Sequence, residues 1–328
     1  MIKKFKKPFL IAEVGNNHEG DYEVAKKLIF EASKCGVDAV KFQNFIPELY
    51  VNKTDKKRIK QLSRFSLSQE QFYNLSRIAK KKKLKFISTP FDLESAKFLN
   101  KIVDYFKISS GDNKYHQLIS KVLSFKRKTI ISTGLLNLKE LKKLYKFIIS
   151  IRKKKDEIAF LHCVASYPAK LEDINLERID YIKKNFNITT GFSDHTIGLS
   201  SSIFAYFHGA EIIEKHFTLD NNYSKFRDHK LSLNPKDMKY LVKFFNEFAK
   251  INVPLKKEIS RAEKSNLLNL RRSYYFNQNL QTGQKIKTHH LKYVRPAKKR
   301  GIYNVKNILN KKVKKNVYED ELVFKNLV

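Results

Sequence analysis

Short apolar runs alternate with longer, Lys-rich amphipathic stretches from the amino terminus to about residue 250. Apolar runs of roughly four to eight residues bounded by turn signals read as buried strands, and apolar positions recurring every three or four residues read as helices packed on them. Eight such runs occur: FLIAEVG (9–15), AVKFQNF (39–45), KFISTPF (85–91), YFKISSG (105–111), KTIISTG (128–134), IAFLHCV (158–164), TTGFSDH (189–195) and EIIEKHF (211–217). Eight strands with intervening helices predict an α/β fold, a (β/α)8 TIM barrel over residues 1–250, whose working end is the C-terminal ends of the strands. Beyond the helical stretch Leu241–Ala249 the periodicity fades into a polar linker, 251–266, that contains Pro254. The remainder, 267–328, holds short strand-like segments such as RRSYYFNQ and LKYVRP and a Thr282-Gly283 turn, which predicts a small β-rich domain.

Polar groups collect at the C-terminal end of every run: Glu13, Lys41 with Gln43, Ser88 with Thr89, Lys107 with Ser109 and Ser110, Ser132 with Thr133, His162, Ser193 with His195, and Lys215 with His216. Capping of the following helix accounts for Ser and Thr at such places, but not for Lys. Strand alternation points Lys41 and Lys107 inward, where an unpaired ammonium group is costly. Each therefore anchors an anionic ligand such as a small phosphorylated acid, or closes an internal ion pair with Glu13, Asp112 or Glu214. His195 and His216 end successive strands about one βα unit apart, which brings neighbouring strand ends to one side of a sheet. Their imidazoles would then share a divalent metal, with water and substrate completing its shell. A single strand-end histidine is more often a hydrogen-bonded structural residue. The Ser193-Asp194-His195 sequence lacks the G-x-S-x-G elbow of a hydrolase, so Asp194 reads as a capping or supporting group. Cys163, in the middle of FLHCV, reads as a small buried hydrophobe.

The net charge of +35 suggests a polyanionic partner, but the cations are mostly Lys spread over many segments, with no single Arg-rich stripe. Weak salt-sensitive attraction to polyanions follows from that charge, whereas specific nucleic-acid recognition does not. Two cysteines, Cys35 and Cys163, argue against a disulfide framework and for a reducing compartment. The start, MIKKFKKPFLIAEVG, mimics a signal peptide, yet its apolar stretch is short and broken by Glu13, so it is expected to be the first core strand. No run approaches membrane-spanning length, and a cytoplasmic protein is expected.

The stretches IAEVGNNHEG, VKFQ, FISTPFD, FKISSGD, ISTG, LHCVASYP with EDINL, GFSDHTIG, IEKHFTLD and RDHKLSL resemble the sialic acid synthase family, which includes N-acetylneuraminate, legionaminate and pseudaminate synthases. Near the C terminus, RRSYYFNQNLQTGQKI and VRP resemble that family's SAF (antifreeze-like, β-clip) domain, so the likeness spans almost the whole chain. The resemblance implies condensation of phosphoenolpyruvate with an open-chain N-acetylated amino sugar and water, giving a nine-carbon 2-keto acid and phosphate. The acceptor would be N-acetylmannosamine or a 6-deoxy diacetamido analogue, and the cofactor Mn²⁺ or Mg²⁺. By the same resemblance His195 and His216 match the metal ligands, and Lys41, Thr89, Lys107, Ser110, Ser132 and Ser193 match the positions that hold phosphoenolpyruvate. Glu13 matches a glutamate near the reacting carbons, and Gln43, Asp112, Tyr167 and Asp228 match residues around the sugar. Arg295 matches an arginine brought by the SAF domain of a partner subunit, which implies a domain-swapped homodimer.

The chain departs from the family pattern in two places. RPGxGI becomes RPAKKRGI, with Ala297 for the glycine and extra residues before Gly301, and the positions of Asp112 and Ala165 often hold Glu and Asn in the neuraminate synthases. The nearest alternative is a phosphoenolpyruvate-aldose synthase of the Kdo-8-phosphate or DAHP type, which takes a phosphorylated aldose and lacks an SAF domain. A non-enzymatic barrel binding polyanions would leave both strand-end histidines unexplained.

Overall fold

The computed structural model describes residues 7–253 and 258–327. The chain divides into two compact units, Met1–Val253 and Pro254–Val328. In the first unit, strands β1 (Phe9–Gly15), β2 (Ala39–Asn44), β3 (Lys85–Pro90), β4 (Tyr105–Ile108), β5 (Thr129–Ser132), β6 (Ile158–Cys163), β7 (Thr189–Asp194) and β8 (Ile212–His216) close into a barrel in sequence order. Every neighbouring pair is parallel, and β1 closes on β8 with Glu13 opposite His216. All eight expected strands are present, each ending within a few residues of the apolar run that predicted it. Residues 1–6, the basic start of the expected first strand, and Pro254 of the expected linker lie outside the described residues.

The two-residue alternation of each strand sorts its side chains into two cores. Outward residues such as Val40, Phe42, Phe86, Phe106, Phe160 and Ile213 pack against the helices, and Phe42 stacks on Phe86 with ring centroids 5.6 Å apart. Inward residues Ile11, Ala39, Ile87, Ile130, Ala159, Leu161 and Ile212 form a separate apolar plug inside the barrel. Two residues further along the same strands stand Glu13, Lys41, Thr89, Ser132, Cys163 and Glu214, joined by Lys107 and Ser193. The barrel interior is thus greasy at mid-height and polar at its C-terminal end.

The same alternation corrects part of the sequence reading, because not every strand-end polar group reaches the mouth. Ser88 donates to the Phe42 carbonyl, Thr133 to the Leu161 carbonyl, and His162 Nε2 to the Ile174 carbonyl at 2.5 Å. Lys215 is fully buried on the helix side, with its ammonium group 3.1 Å from Asp194 Oδ2 and bonded to the Thr196 carbonyl. Asp194 also accepts from Thr196 and Ser202, which is the supporting role expected of it.

In the C-terminal unit, β9 (Ser273–Phe276) pairs antiparallel with β10 (Leu291–Val294), and isolated bridges surround a core of Phe276, Leu280, Ile286, Ile308, Val313, Val317, Val323 and Leu327. Helix Arg261–Leu270 runs through the end of the stretch read as linker. The signal for it lies in SRAE (260–263): Ser260 accepts from the Glu263 amide while Glu263 accepts from the Ser260 amide, a reciprocal cap that starts a helix without strong apolar periodicity. Among the described residues no helix is long and apolar enough to cross a membrane.

Burial lowers the pKa of both His162 and His18 from the ordinary value of 6.5 to about 4, and each keeps one ring nitrogen without a partner. Between those values the unfolded chain takes up protons that the folded chain refuses, so stability is full above about pH 6.5 and falls as pH drops towards 4. The gap is worth about 3 kcal/mol per histidine. Urea unfolding across this range should show the loss, and His162→Gln should remove roughly half of it, leaving the share of His18. An unchanged slope in that variant would show that His162 titrates normally.

Candidate active site

At the C-terminal end of the barrel the inward tier closes a network of four charges. Lys41 Nζ, from β2, lies 3.1 Å from Glu13 Oε2 of β1 and 3.0 Å from Glu214 Oε1 of β8. Lys107 Nζ, from β4, donates to the same Glu214 oxygen at 2.9 Å, and Ser193 Oγ, from β7, donates to it at 2.8 Å. These side chains are between 1% and 5% exposed, so water screens them little. The sequence left two readings open for the lysines, anion anchor or internal ion pair, and the structure shows the ion pairs with Glu13 and Glu214. Asp112 is not a partner: its carboxylate accepts from Ser109 instead.

The charges settle unequally. Burial raises Glu13 from the ordinary carboxylate value to about 7, against the pull of Lys41. Burial also works against Glu214, but Lys107 and Lys41 outweigh it and hold Glu214 ionised well below the usual range. Lys41 is held charged by its two carboxylates despite burial, whereas Lys107 is lowered by burial and by the neighbouring charge of Lys41. A chain of amides leads outward from Glu13, because Gln43 Nε2 lies 3.4 Å from Glu13 Oε1 and Asn16 Nδ2 donates to Gln43 Oε1.

Beside this network the two strand-end histidines converge, with ring centroids 5.3 Å apart. His195 Nδ1 donates to the Val164 carbonyl at 2.8 Å, a tautomer that leaves Nε2 with a free lone pair. Burial lowers His216 well below its ordinary pKa, so it is neutral, and its Nδ1 has no hydrogen-bond partner at 4.0 Å from Asp228 Oδ2. In their neutral forms two imidazoles suit a divalent cation, although among the described residues no three His, Cys, Asp or Glu side chains form a ligating group. An ion at this point would draw its other ligands from water and substrate. Tyr167 covers the pair, its ring tilted 33° to that of His195 with centroids 4.1 Å apart, and carries the Arg227 guanidinium 4.8 Å above its ring. Cys163 is free and buried, as expected, and in addition faces the site, with Sγ 3.7 Å from His195 Nδ1.

Above these groups opens a cavity of about 890 Å³, lined in part by Gln43, Ser110, Tyr167, His216 and Asp228, all expected from the sequence. That volume accommodates a small organic ligand. Thr89 and Ser132 sit buried in the polar tier below, and Gly134 is needed because a Cβ there would fall 2.7 Å from Ser110 Oγ. Ser110 Oγ, Ser132 Oγ, Glu214 Oε2, His216 Nδ1 and Asp228 Oδ1 are all buried without a hydrogen-bond partner. Buried polar atoms are nearly always paired, so this many orphans at one end of a barrel mark a place where a polar ligand binds. Arg295 stands in the C-terminal unit, directly after β10.

The sequence reading named Glu214 only as a possible ion-pair partner. It missed Arg58, Arg64, Lys225 and Arg227, which also line the cavity and come from loops and a helix with no strand-end signal.

Residues 28–254 match the model of the NeuB family. The chain is 35% identical to an N,N'-diacetyllegionaminic acid synthase of Campylobacter jejuni over 97% of this chain and 99% of that protein. It is 32% identical to an N-acetylneuraminate-9-phosphate synthase of Drosophila melanogaster, over 75% of this chain and 69% of that one. Among solved structures it is similar to an N-acetylneuraminic acid synthetase of Leptospira borgpetersenii, with a TM-score of 0.72 and 31% identity, covering 80% of this chain and 91% of that one.

Proposed function

The chain belongs to the NeuB family, and from that premise we propose that it condenses phosphoenolpyruvate with an open-chain N-acetylated amino sugar and water, giving a nine-carbon 2-keto acid and inorganic phosphate. The observation that carries this reading is the buried lysine pair beside two converging imidazoles, an anion receptor adjoining a place for an electrophile. Lys41, Lys107 and Ser193, with Thr89, Ser110 and Ser132, hold the phosphoenolpyruvate carboxylate and phosphate by charge-assisted hydrogen bonds. Gln43, Asp112, Tyr167 and Asp228 orient the sugar. His195 and His216 would hold Mn²⁺ or Mg²⁺, which when bound would supply Lewis acidity towards the sugar's aldehyde oxygen.

The enol carbon forms the new C–C bond to the aldehyde carbon while the aldehyde C=O π bond opens to an alkoxide that takes up a proton, leaving positive charge on the phosphate-bearing carbon. Water adds there and loses one proton to leave a hydroxyl; the C–O bond to phosphate then breaks, the hydroxyl proton leaves with the phosphate, and the keto group forms. Glu13 faces this chemistry. A carboxyl group titrating at about 7 stabilises the cation when ionised and takes the proton from water near neutral pH.

The acceptor is unphosphorylated, N-acetylmannosamine or a 6-deoxy diacetamido sugar, as the legionaminic acid synthase likeness over nearly the whole chain favours. Residues 267–328 act as an SAF domain that delivers Arg295 to the barrel of a partner subunit in a domain-swapped homodimer. The enzyme works in the reducing cytoplasm, consistent with two free, buried cysteines. Incubation with phosphoenolpyruvate, Mn²⁺ and a panel of acetamido sugars with and without a 6-phosphate, following phosphate and keto acid, tests the reading. Turnover of phosphorylated acceptors alone would overturn the choice of sugar.

Three outcomes are expected. Chelation, or His216→Ala, should abolish condensation while the thermal melt stays cooperative; near-wild-type turnover of His216→Ala in metal-limited buffer would remove the metal from the mechanism. Lys107→Met should raise the Michaelis constant for phosphoenolpyruvate by about tenfold or more, since a charge-assisted contact is worth roughly 1.5–3 kcal/mol, and should leave that for the sugar nearly unchanged. Mixing Arg295→Ala chains with His216→Ala chains should restore activity, because a swapped heterodimer has one site spared both changes. Demonstrated heterodimers that stay inactive would exclude delivery across subunits.

A further inference from the structure

We propose that Glu214 is a positioning residue for phosphoenolpyruvate, acting through Lys41, Lys107 and Ser193 without touching the substrate itself. This rests on the reading of those three groups as phosphoenolpyruvate anchors. One oxygen, Glu214 Oε1, receives Lys107 at 2.9 Å, Lys41 at 3.0 Å and Ser193 at 2.8 Å, donors carried by three different strands. Its twin, Oε2, is buried with no hydrogen-bond partner.

That asymmetry distinguishes positioning from simple neutralisation. A carboxylate offers about four acceptor sites spread over two oxygens, yet here Lys107 and Ser193 fill both lone pairs of one oxygen and the Lys41 ammonium crowds the same oxygen as an ion pair, while the other oxygen stays idle. The donors are therefore crowded to a point rather than distributed to satisfy the carboxylate. One or more of them can turn to the oxygens of an arriving anion without leaving Glu214 bare. Among the described residues Lys107 has no other carboxylate partner, whereas Lys41 also has Glu13. Lys107 consequently depends on Glu214 for its place more than Lys41 does. Without the shared oxygen the two buried ammonium groups would repel and separate, and the spacing that fits a small anion would be lost.

The test compares Glu214→Gln, Glu214→Asp, Lys107→Met and the Glu214→Gln/Lys107→Met double variant. Phosphoenolpyruvate affinity is read by titration calorimetry with Mn²⁺ and no sugar, alongside steady-state constants for both substrates and a thermal melt. Asp keeps the negative charge but withdraws the shared oxygen by one methylene, so it preserves neutralisation and removes alignment. Expected are a folded Glu214→Asp protein with phosphoenolpyruvate affinity reduced about tenfold or more and the Michaelis constant for the sugar within about twofold of wild type. The double variant should lose clearly less than the product of the two single losses, since the Lys107 arm of Glu214 is common to both changes while its Lys41 and Ser193 arms remain. Wild-type affinity in Glu214→Asp, or losses that multiply in the double variant, would overturn the role of Glu214 while leaving the proposed reaction intact. A wild-type protein that fails to bind phosphoenolpyruvate would instead sink the proposed reaction, and this inference with it.

Discussion

Two lysines and two glutamates enclosed at one end of the barrel are the constraint on which the other features depend. Each ion has been taken out of water at a cost that only close, oriented partners offset, and removing Lys41 or Glu214 leaves Glu13 or Lys107 buried without its ion-pair partner, typically a loss of about 3–5 kcal/mol. The partners come from β1, β2, β4 and β8, so they meet only if the sheet closes and the register holds. A slip of one residue in any of these strands would turn its charge towards the helices. The apolar plug immediately beneath, including Ile11, Ala39, Ile87 and Ile212, fixes that register from the other direction by filling the barrel where the same strands carry no charge.

Around this cluster the molecule leaves polar atoms unsatisfied rather than packing them away. The hydroxyl oxygens of Ser110 and Ser132 and Nδ1 of His216, buried without hydrogen-bond partners, carry a desolvation cost that a polar ligand would relieve. Such preorganisation is what electrostatic stabilisation of developing charge requires, because groups already in place need not reorganise during reaction.

The loops at the mouth are held by an independent set of contacts. Asn17 donates to the Phe217 carbonyl and to Ser232, tying the loop after β1 to the one after β8. Glu19 lies 3.1 Å from His229 Nε2 and also bonds Ser224, which fixes the turn that presents Arg227 and Asp228. The cavity wall beside His216 is thereby braced by buried polar contacts, so its shape is set before a ligand arrives.

The eight strands and the closing of the barrel were legible in the chain because strand burial writes itself as short apolar runs, and eight of them with helical spacers leave few alternatives. Lys41 and Lys107 were legible as site residues for a related reason: an ammonium at an inward strand position has no cheap structural explanation. His195 and His216 were found by spacing alone, since parallel strands one crossover apart must end together. The sequence did not reveal that Glu214 would gather two ammonium groups and a hydroxyl around one oxygen, because its partners are distant along the chain and a carboxylate in a strand has no periodic signature. It read Cys163 correctly as buried, but the apolar neighbours of Cys163 hid that its own side faces the histidines. It also overcounted the mouth, where His162, Ser88, Thr133 and Lys215 share the strand ends but point to the helices. Alternation specifies which residues lie on opposite faces; only the closed barrel decided which face is inside and which charges meet there.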